Sequence, residues 1–313
     1  MVPEELSGSN CIDIVFARPR TDIILPDYLS LFTNSDIGKR QIVATQGGLA
    51  LKHFNVGALK KMIVNVPDIS EQAAITELLS ITSRIIEKTE RLIATKEQRK
   101  KIFMDLLLTG KRRLRGFQKH WSEYRLGDLF KERNERANDH LPLLSITRED
   151  GVVPRVENRK DTSSEDKSNY LRICSGDIGY NTMRMWQGVS ALSSLEGIVS
   201  PAYTICIPNE GVDGRYMAHL FKLPRTINLF YRHSQGLTSD TWNLKYHHFE
   251  QIKVTIPAIE EQKAIAALLD VCAKEINLLR KQNCSLKKQK RGLMQKLLTG
   301  RWRIATKSLD ATT

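Results

Sequence analysis

Arginine, asparagine and glutamine are the side chains that hold a base edge with paired hydrogen bonds, and lysine and arginine are the ones that hold phosphate. Both kinds gather here in short polar stretches flanked by apolar runs: Arg148, then Asn181, Arg184 and Gln187, then Arg232, His233, Gln235, Thr238 and Asn243 around Gly236. Trp186 lies among them, a surface on which an extruded or flanking base can stack. A further basic run, Lys111, Arg112 and Arg113, precedes Gly116. For each residue a plainer role, a solvated loop side chain or a core aromatic, stays open on spacing alone.

Other chemistries find less support. No GxxxxGK[ST] phosphate loop is present, which speaks against ATP hydrolysis, and no [DN]PP[FY] of the kind an amino-methyltransferase uses to hold adenine. Asp150 with Glu165 and Lys167 has the residue types of a metal nuclease, but acid-x-Lys triplets are common in polar loops. His247 and His248 are adjacent and, on a strand, would alternate faces, which disfavours a shared metal. The cysteines (Cys11, Cys174, Cys206, Cys272, Cys284) are odd in number and lack CxxC spacing, so neither a disulfide framework nor a zinc site is expected. Lysine and arginine outnumber aspartate and glutamate 48 to 35, a formal net charge of +13, the balance expected of a chain that meets a polyanion.

The elements that must position these side chains show first as a repeat. PDISEQAAITELLS at Pro67 returns as PAIEEQKAIAALLD at Pro257, and MDLLLTGKRR at Met104 returns as MQKLLTGRWR at Met294. The offset is 190 residues at both ends, without gaps, which suits a continuous rod because loops tolerate insertions and helices do not. Each copy reads as a long helix: Pro67 or Pro257 ahead of it, acids in the first turn, Gly110 or Gly300 as the stop. Ile75, Leu78, Leu79, Ile85, Ile86, Leu92, Ile93, Ile102, Phe103, Leu106 and Leu107 recur at three and four spacings as one apolar face, mirrored from Ile265 to Leu297. Such a rod needs a partner helix, and an antiparallel coiled coil of the two copies is expected; packing of each rod on its own domain or on a second chain is the alternative. Both rods are basic, net +7 over Arg84 to Arg115 and net +9 over Lys274 to Arg303, which suits either phosphate tracking or acidic partner surfaces.

Between the rods, residues 120–256 read as one mixed α/β domain. Strands are expected at Leu141–Ile146, Asp177–Met183, Ala202–Ile207 and Gln251–Ile256, and a helix at Arg215–Leu223. Residues 1–66 resemble only the later part of that domain, LPDYLSLF against DGRYMAHLF for example, as if the first globular unit were shortened at its front. The boundaries expected are 1–66, a first helix at 67–110, a basic hinge at 111–119, the complete domain at 120–256, a second helix at 257–301 and a tail at 302–313. No apolar run approaches the ~20 residues of a membrane span and no signal peptide is evident, so a cytoplasmic chain is expected.

PxxxEQxxI opening each rod and LLTGxxR closing it, with GDIGYNTMRMWQG at Gly176 and GIVSPAY at Gly197 between, resemble the specificity subunit of type I restriction-modification enzymes. The resemblance spans nearly the whole chain and departs from the family at the front of the first domain. It implies α/β target-recognition domains separated by two long helices, a non-catalytic chain that selects a site in double-stranded DNA, and methyltransferase subunits docked on the helices. S-adenosylmethionine, ATP and magnesium would then belong to the methyltransferase and restriction/translocase partners, none to this chain. A shortened first domain adds a second specificity chain or complementing fragment as a partner. A split cassette that assembles without reading a bipartite site is the competing expectation.

Overall fold

Proline ahead of the apolar period, acids in the first turn and glycine at the end give both rods one outline, and in the computed structural model each is an unbroken helix of 40 residues. The structure describes residues 15–45, 55–138, 140–148, 150–155, 166–238 and 241–305. Among them α1 (Pro26–Asn34), α2 (Asp36–Thr45) and α3 (Val56–Leu59) precede the first rod, α4 (Ile69–Leu108). Next come β1 (Ser122–Arg125), α5 (Leu126–Leu129), β2 (Phe130–Glu132), β3 (Leu144–Thr147), β4 (Gly151–Pro154), β5 (Leu171–Ile173) and β6 (Ile178–Asn181). A 3-10 turn at Met185–Gln187 leads to β7 (Ser190–Leu192), β8 (Gly197–Val199) and β9 (Tyr203–Pro208). The chain continues through α6 (Gly214–Leu220), α7 (Pro224–His233), α8 (Tyr246–Phe249) and β10 (Lys253–Ile256) into the second rod, α9 (Ile259–Leu298). The expected strands and helix are present, β9 shifted by one residue at the same length and the others with shorter bounds. His247 and His248 sit on the helical turn α8 instead of a strand, because Tyr246 and Phe249 at three-residue spacing both turn inward.

The chain divides into two compact units, unit 1 from residues 1–95 with 276–313 and unit 2 from residues 96–275, so each holds half of either rod. Unit 1 packs Tyr28 and Phe32 of α1 against Ile75 and Leu79 of α4 and Leu297 and Leu298 of α9. Unit 2 has an antiparallel sheet in the order β2-β9-β6-β7, with β1 paired to β10, β3 to β4 and β5 to β8. Its larger core joins Phe130, Tyr180, Tyr216, Phe221, Phe230 and Phe249 to Leu107 and Leu108 of α4 and Ile265 and Leu269 of α9. A second core, Leu144, Ile146, Leu171, Ile173, Val199 and Ile205, fills the space between β3, β5, β8 and β9.

Within each unit the rods run antiparallel. In unit 1 Lys287 bonds Glu90 at 2.6 Å and Arg303 bonds Glu71 at 2.6 Å; in unit 2 Lys96 bonds Glu275 at 2.7 Å and Arg113 bonds Glu261 at 2.6 Å. The repeated Glu-Gln pair and the repeated arginine therefore have matching tasks. Glu71 and Glu261, both buried, each take a bidentate guanidinium from the arginine that follows the other rod's glycine stop. Gln72 accepts from Leu25 N and donates to the Ile23 and Pro67 carbonyls; Gln262 accepts from Asp213 N and donates to the Gly211 and Pro257 carbonyls. One residue thus locks rod to rod and its neighbour locks rod to domain. The apolar face read from spacing separates into two stripes: Ile75, Leu79 and Ile86 are buried, while Leu78, Ile85 and Leu92 stay exposed, joined by Ile81.

Candidate nucleic-acid interface

Three loops of unit 2 converge on one face, and the sheet decides where. β6 ends at Asn181, whose Oδ1 accepts from Met183 N at 3.0 Å and starts the turn that carries Arg184, Trp186 and Gln187. Met185 points inward and is fully buried, so its neighbours Arg184 and Trp186 are turned toward the surface. Gly188 closes the turn with φ 78°, a left-handed conformation, and an added Cβ would lie 2.8 Å from Ile227 Cδ1 of α7. Lys222, following α6, ties the same turn down: its Nζ donates to the Gly188 carbonyl at 2.8 Å and the Ser190 carbonyl at 2.7 Å. Burial first, and then the charge of Arg148, exposed beyond β3, lower the Lys222 pKa to about 8.

α7 brings the second group. Its last turn carries Arg232, exposed, and His233, whose Nδ1 lies 2.9 Å from the Leu229 carbonyl. That contact makes Nδ1 the donor and leaves Nε2 as the acceptor of the neutral ring. The third group follows at once. Gln235 and Asn243 exchange backbone hydrogen bonds of 2.9 Å in both directions and close a loop that places Gln235, Leu237 and Thr238 in solvent. Leu244 N donates to the Thr182 carbonyl at 2.9 Å, which joins this loop to the Asn181 turn. Trp242 completes the join, its ring 5.1 Å edge-on from Trp186 and 4.8 Å from Tyr231.

Arg184, Trp186, Gln187, Arg232, His233, Gln235 and Thr238 therefore share one surface, with Asn181 at its root. Asn243 and the basic run Lys111, Arg112 and Arg113 do not join it. Asn243 buries its Oδ1 with no partner among the described residues, so that oxygen is not presented on the surface. Arg113 is held by Glu261 and lies over the Trp121 ring at 5.8 Å, which commits its guanidinium to the rod clamp instead of to phosphate. Lys111 pairs with Asp105 on the exposed rod end at 2.8 Å, and Arg112 is exposed beside it. Sequence reading missed Lys222 and Trp242. The lysine carries no motif, and the tryptophan's position beside the Gln235 loop was its only signal. Among the described residues no group of histidine, cysteine, aspartate and glutamate is placed to hold a metal, and no helix is long and apolar enough to cross a membrane. Glu165 lies outside the described residues, so the Asp150 triplet cannot be assembled from them.

A family model described as the type I restriction modification DNA specificity domain matches residues 118–288. The type I restriction enzyme MjaVIII specificity subunit of Methanocaldococcus jannaschii is 27% identical over 189 residues, which cover 57% of this chain and 42% of that protein. The chain thus spans less than half the length of this curated relative. The fold is similar to that of the type I restriction-modification S subunit from M. genitalium, at TM-score 0.61 and 15% identity over 90% of this chain and 74% of that one. It is also similar, at TM-score 0.52 and 15% identity over 90% and 73%, to a chain from a structure on complex assembly and conformational transition of the type I R-M system.

Proposed function

Because the chain belongs to the type I restriction modification DNA specificity family, we propose that the loop face of unit 2 reads part of a duplex DNA site for enzymes carried by other subunits. The observation that carries this reading is the convergence of Arg184, Gln187, Arg232 and Gln235 on one aromatic-backed surface of a rigid sheet. Arg184, Gln187 and Gln235 supply donor and acceptor pairs of the kind that discriminate bases in the major groove. Arg232 and Arg148 supply charge for phosphates and so fix the register. The chain itself is a specificity component, not an enzyme, in keeping with relatives named as specificity subunits. S-adenosylmethionine, ATP and magnesium then reside in methyltransferase and restriction/translocase partners, with adenine methylation as the marking reaction.

The test is to purify the chain with its native methyltransferase partner, expose DNA to the complex and sequence the methylated adenines. A discrete motif supports the reading, and its loss or relaxation in Arg184→Ala assigns the face. A competing reading, a coiled coil that assembles without reading a bipartite site, draws on unit 1, whose described residues contain helices alone. Stable assembly without any methylated motif would favour it.

A further inference from the structure

The loop between Gln235 and Asn243 is pinned at two levels. At its neck those two residues exchange backbone hydrogen bonds of 2.9 Å in both directions. Nearer its tip the Thr238 carbonyl accepts from Thr241 N at 3.0 Å and from Trp242 N at 3.1 Å, and Thr238 N donates to Thr241 Oγ1 at 3.1 Å. Between the two levels Gly236 takes φ 149°, a conformation that favours glycine, and an added Cβ would lie 2.7 Å from the Thr241 carbonyl. The backbone on either side of Leu237 is therefore fixed. Next to the neck, Trp242 packs against Trp186 and Tyr231, and Trp186 Nε1 donates to the Met183 carbonyl at 3.0 Å.

That frame holds one apolar side chain out. Leu237 is 101% exposed, whereas Tyr231 and Met183 on the same face are each about half covered. A lone exposed leucine is ordinary on a surface. One that a doubly pinned loop keeps from folding back, among Gln235, Thr238, Arg184 and Arg232, is not. Leucine has no donor or acceptor, so it adds nothing to phosphate or base-edge contacts and gains only where it is buried. The arginines of this face draw a duplex to it, and the apolar space a duplex offers a whole leucine side chain lies between its stacked base pairs. A thymine methyl would cover one side alone. Proteins that part a base step do so with leucine, isoleucine, methionine, phenylalanine or proline.

We infer that Leu237 is a wedge: on binding it enters between two adjacent base pairs of duplex DNA, beside the bases met by Arg184 and Gln235, and parts that step. The inference rests on the reading face proposed above and deepens it. Part of the specificity then comes from how easily a step opens, which favours TA and CA/TG at the wedge position.

The test uses the chain with its native methyltransferase partner and duplexes carrying the methylated motif. 2-Aminopurine replaces each adenine of either strand in turn, the methylated one excepted, and its fluorescence reports lost stacking. The parent complex is expected to raise fluorescence at one step. Leu237→Ala should abolish that rise and weaken binding about tenfold, a mismatch at the step should restore its affinity, and Leu237→Phe should keep the rise. Unchanged fluorescence and affinity in Leu237→Ala, with Arg184→Ala still relaxing the motif, overturns the wedge and leaves the reading face standing. No methylated motif with the parent chain overturns both. An affinity loss reproduced by replacing a thymine with uracil, without a fluorescence rise in the parent, overturns the wedge and assigns a methyl contact. Weaker co-purification of Leu237→Ala with the methyltransferase, again without that rise, overturns it and assigns a protein contact.

Discussion

Glu71 and Glu261 show how a single buried carboxylate sets the meaning of a distant arginine. Removing Arg113 takes the counter-ion from the buried Glu261 and leaves the Trp121 indole N–H as its remaining side-chain donor, a loss of stability. Denaturant unfolding of Arg113→Ala should show that loss, while the salt dependence of DNA binding stays that of the parent because no phosphate contact is removed. Lysine is a poor substitute, since it cannot reproduce the paired bonds to both carboxylate oxygens. In unit 1 the Arg303 guanidinium first, and then the Ile304 amide, hold the Glu71 carboxyl below its usual range. The carboxylate form is therefore the one the fold stabilises. This contribution is complete above the ordinary glutamate pKa of about 4.3 and is lost as pH falls through the lowered folded value. Acid titration of stability should accordingly lose part of its low-pH slope in Glu71→Gln, with an already lower plateau near neutrality. On the reading face the expectation is the reverse. Arg184→Ala should leave stability almost untouched and cost about 1–3 kcal/mol of discrimination at one base pair, read as relaxed methylation at that position.

At the scale of elements, the reading turn owes its shape to Lys222. Replacing it by methionine keeps the aliphatic stem but leaves the Gly188 and Ser190 carbonyls without its donor, a penalty of about 1–3 kcal/mol. Its pKa of about 8 lies below that of an unfolded lysine, so the unfolded state binds more protons between about 8 and 10.4 and this site's contribution to stability rises with pH across that window. Lys222→Met should remove that rise in pH-dependent thermal unfolding and speed hydrogen exchange at residues 182–190. Nothing in the residues around Lys222 announces this, since its partners lie 34 and 32 positions upstream and are backbone oxygens. The rods, in contrast, were legible because a helix writes its face and its length as a period, and two copies at a fixed offset exclude accident. The strands were legible as β-branched runs, though not their order, because β2-β9-β6-β7 is set by pairings between distant segments. The repeated Glu-Gln and Arg were visible as motifs, while their partnership across 148 and 232 residues was not. Arg113 was misassigned for the same reason: a basic run looks alike whether it faces phosphate or a buried carboxylate.

For the whole molecule the question is what its positive charge is for, since the net +13 is concentrated on the rods. Lys274, Lys281 and Lys288 are exposed at seven-residue spacing on α9, and each stands three residues beyond the register of Val271 and Leu278, which are 65% and 59% exposed. α4 carries its own exposed row, Leu78, Ile81, Ile85 and Leu92. DNA offers little to such rows beside charge, because phosphate binding rewards the cations and leaves the leucines in water. A protein surface with an apolar centre and an acidic rim rewards both. The rods are therefore expected to serve partner subunits before DNA. Replacing Lys274, Lys281 and Lys288 together by glutamine should weaken retention of the methyltransferase partner as ionic strength rises, measured by co-purification at increasing salt. The slope of log affinity against log salt for a non-specific duplex should stay at the parent value. If the lysines instead tracked phosphates, that slope would fall by nearly one unit per lysine while partner retention held.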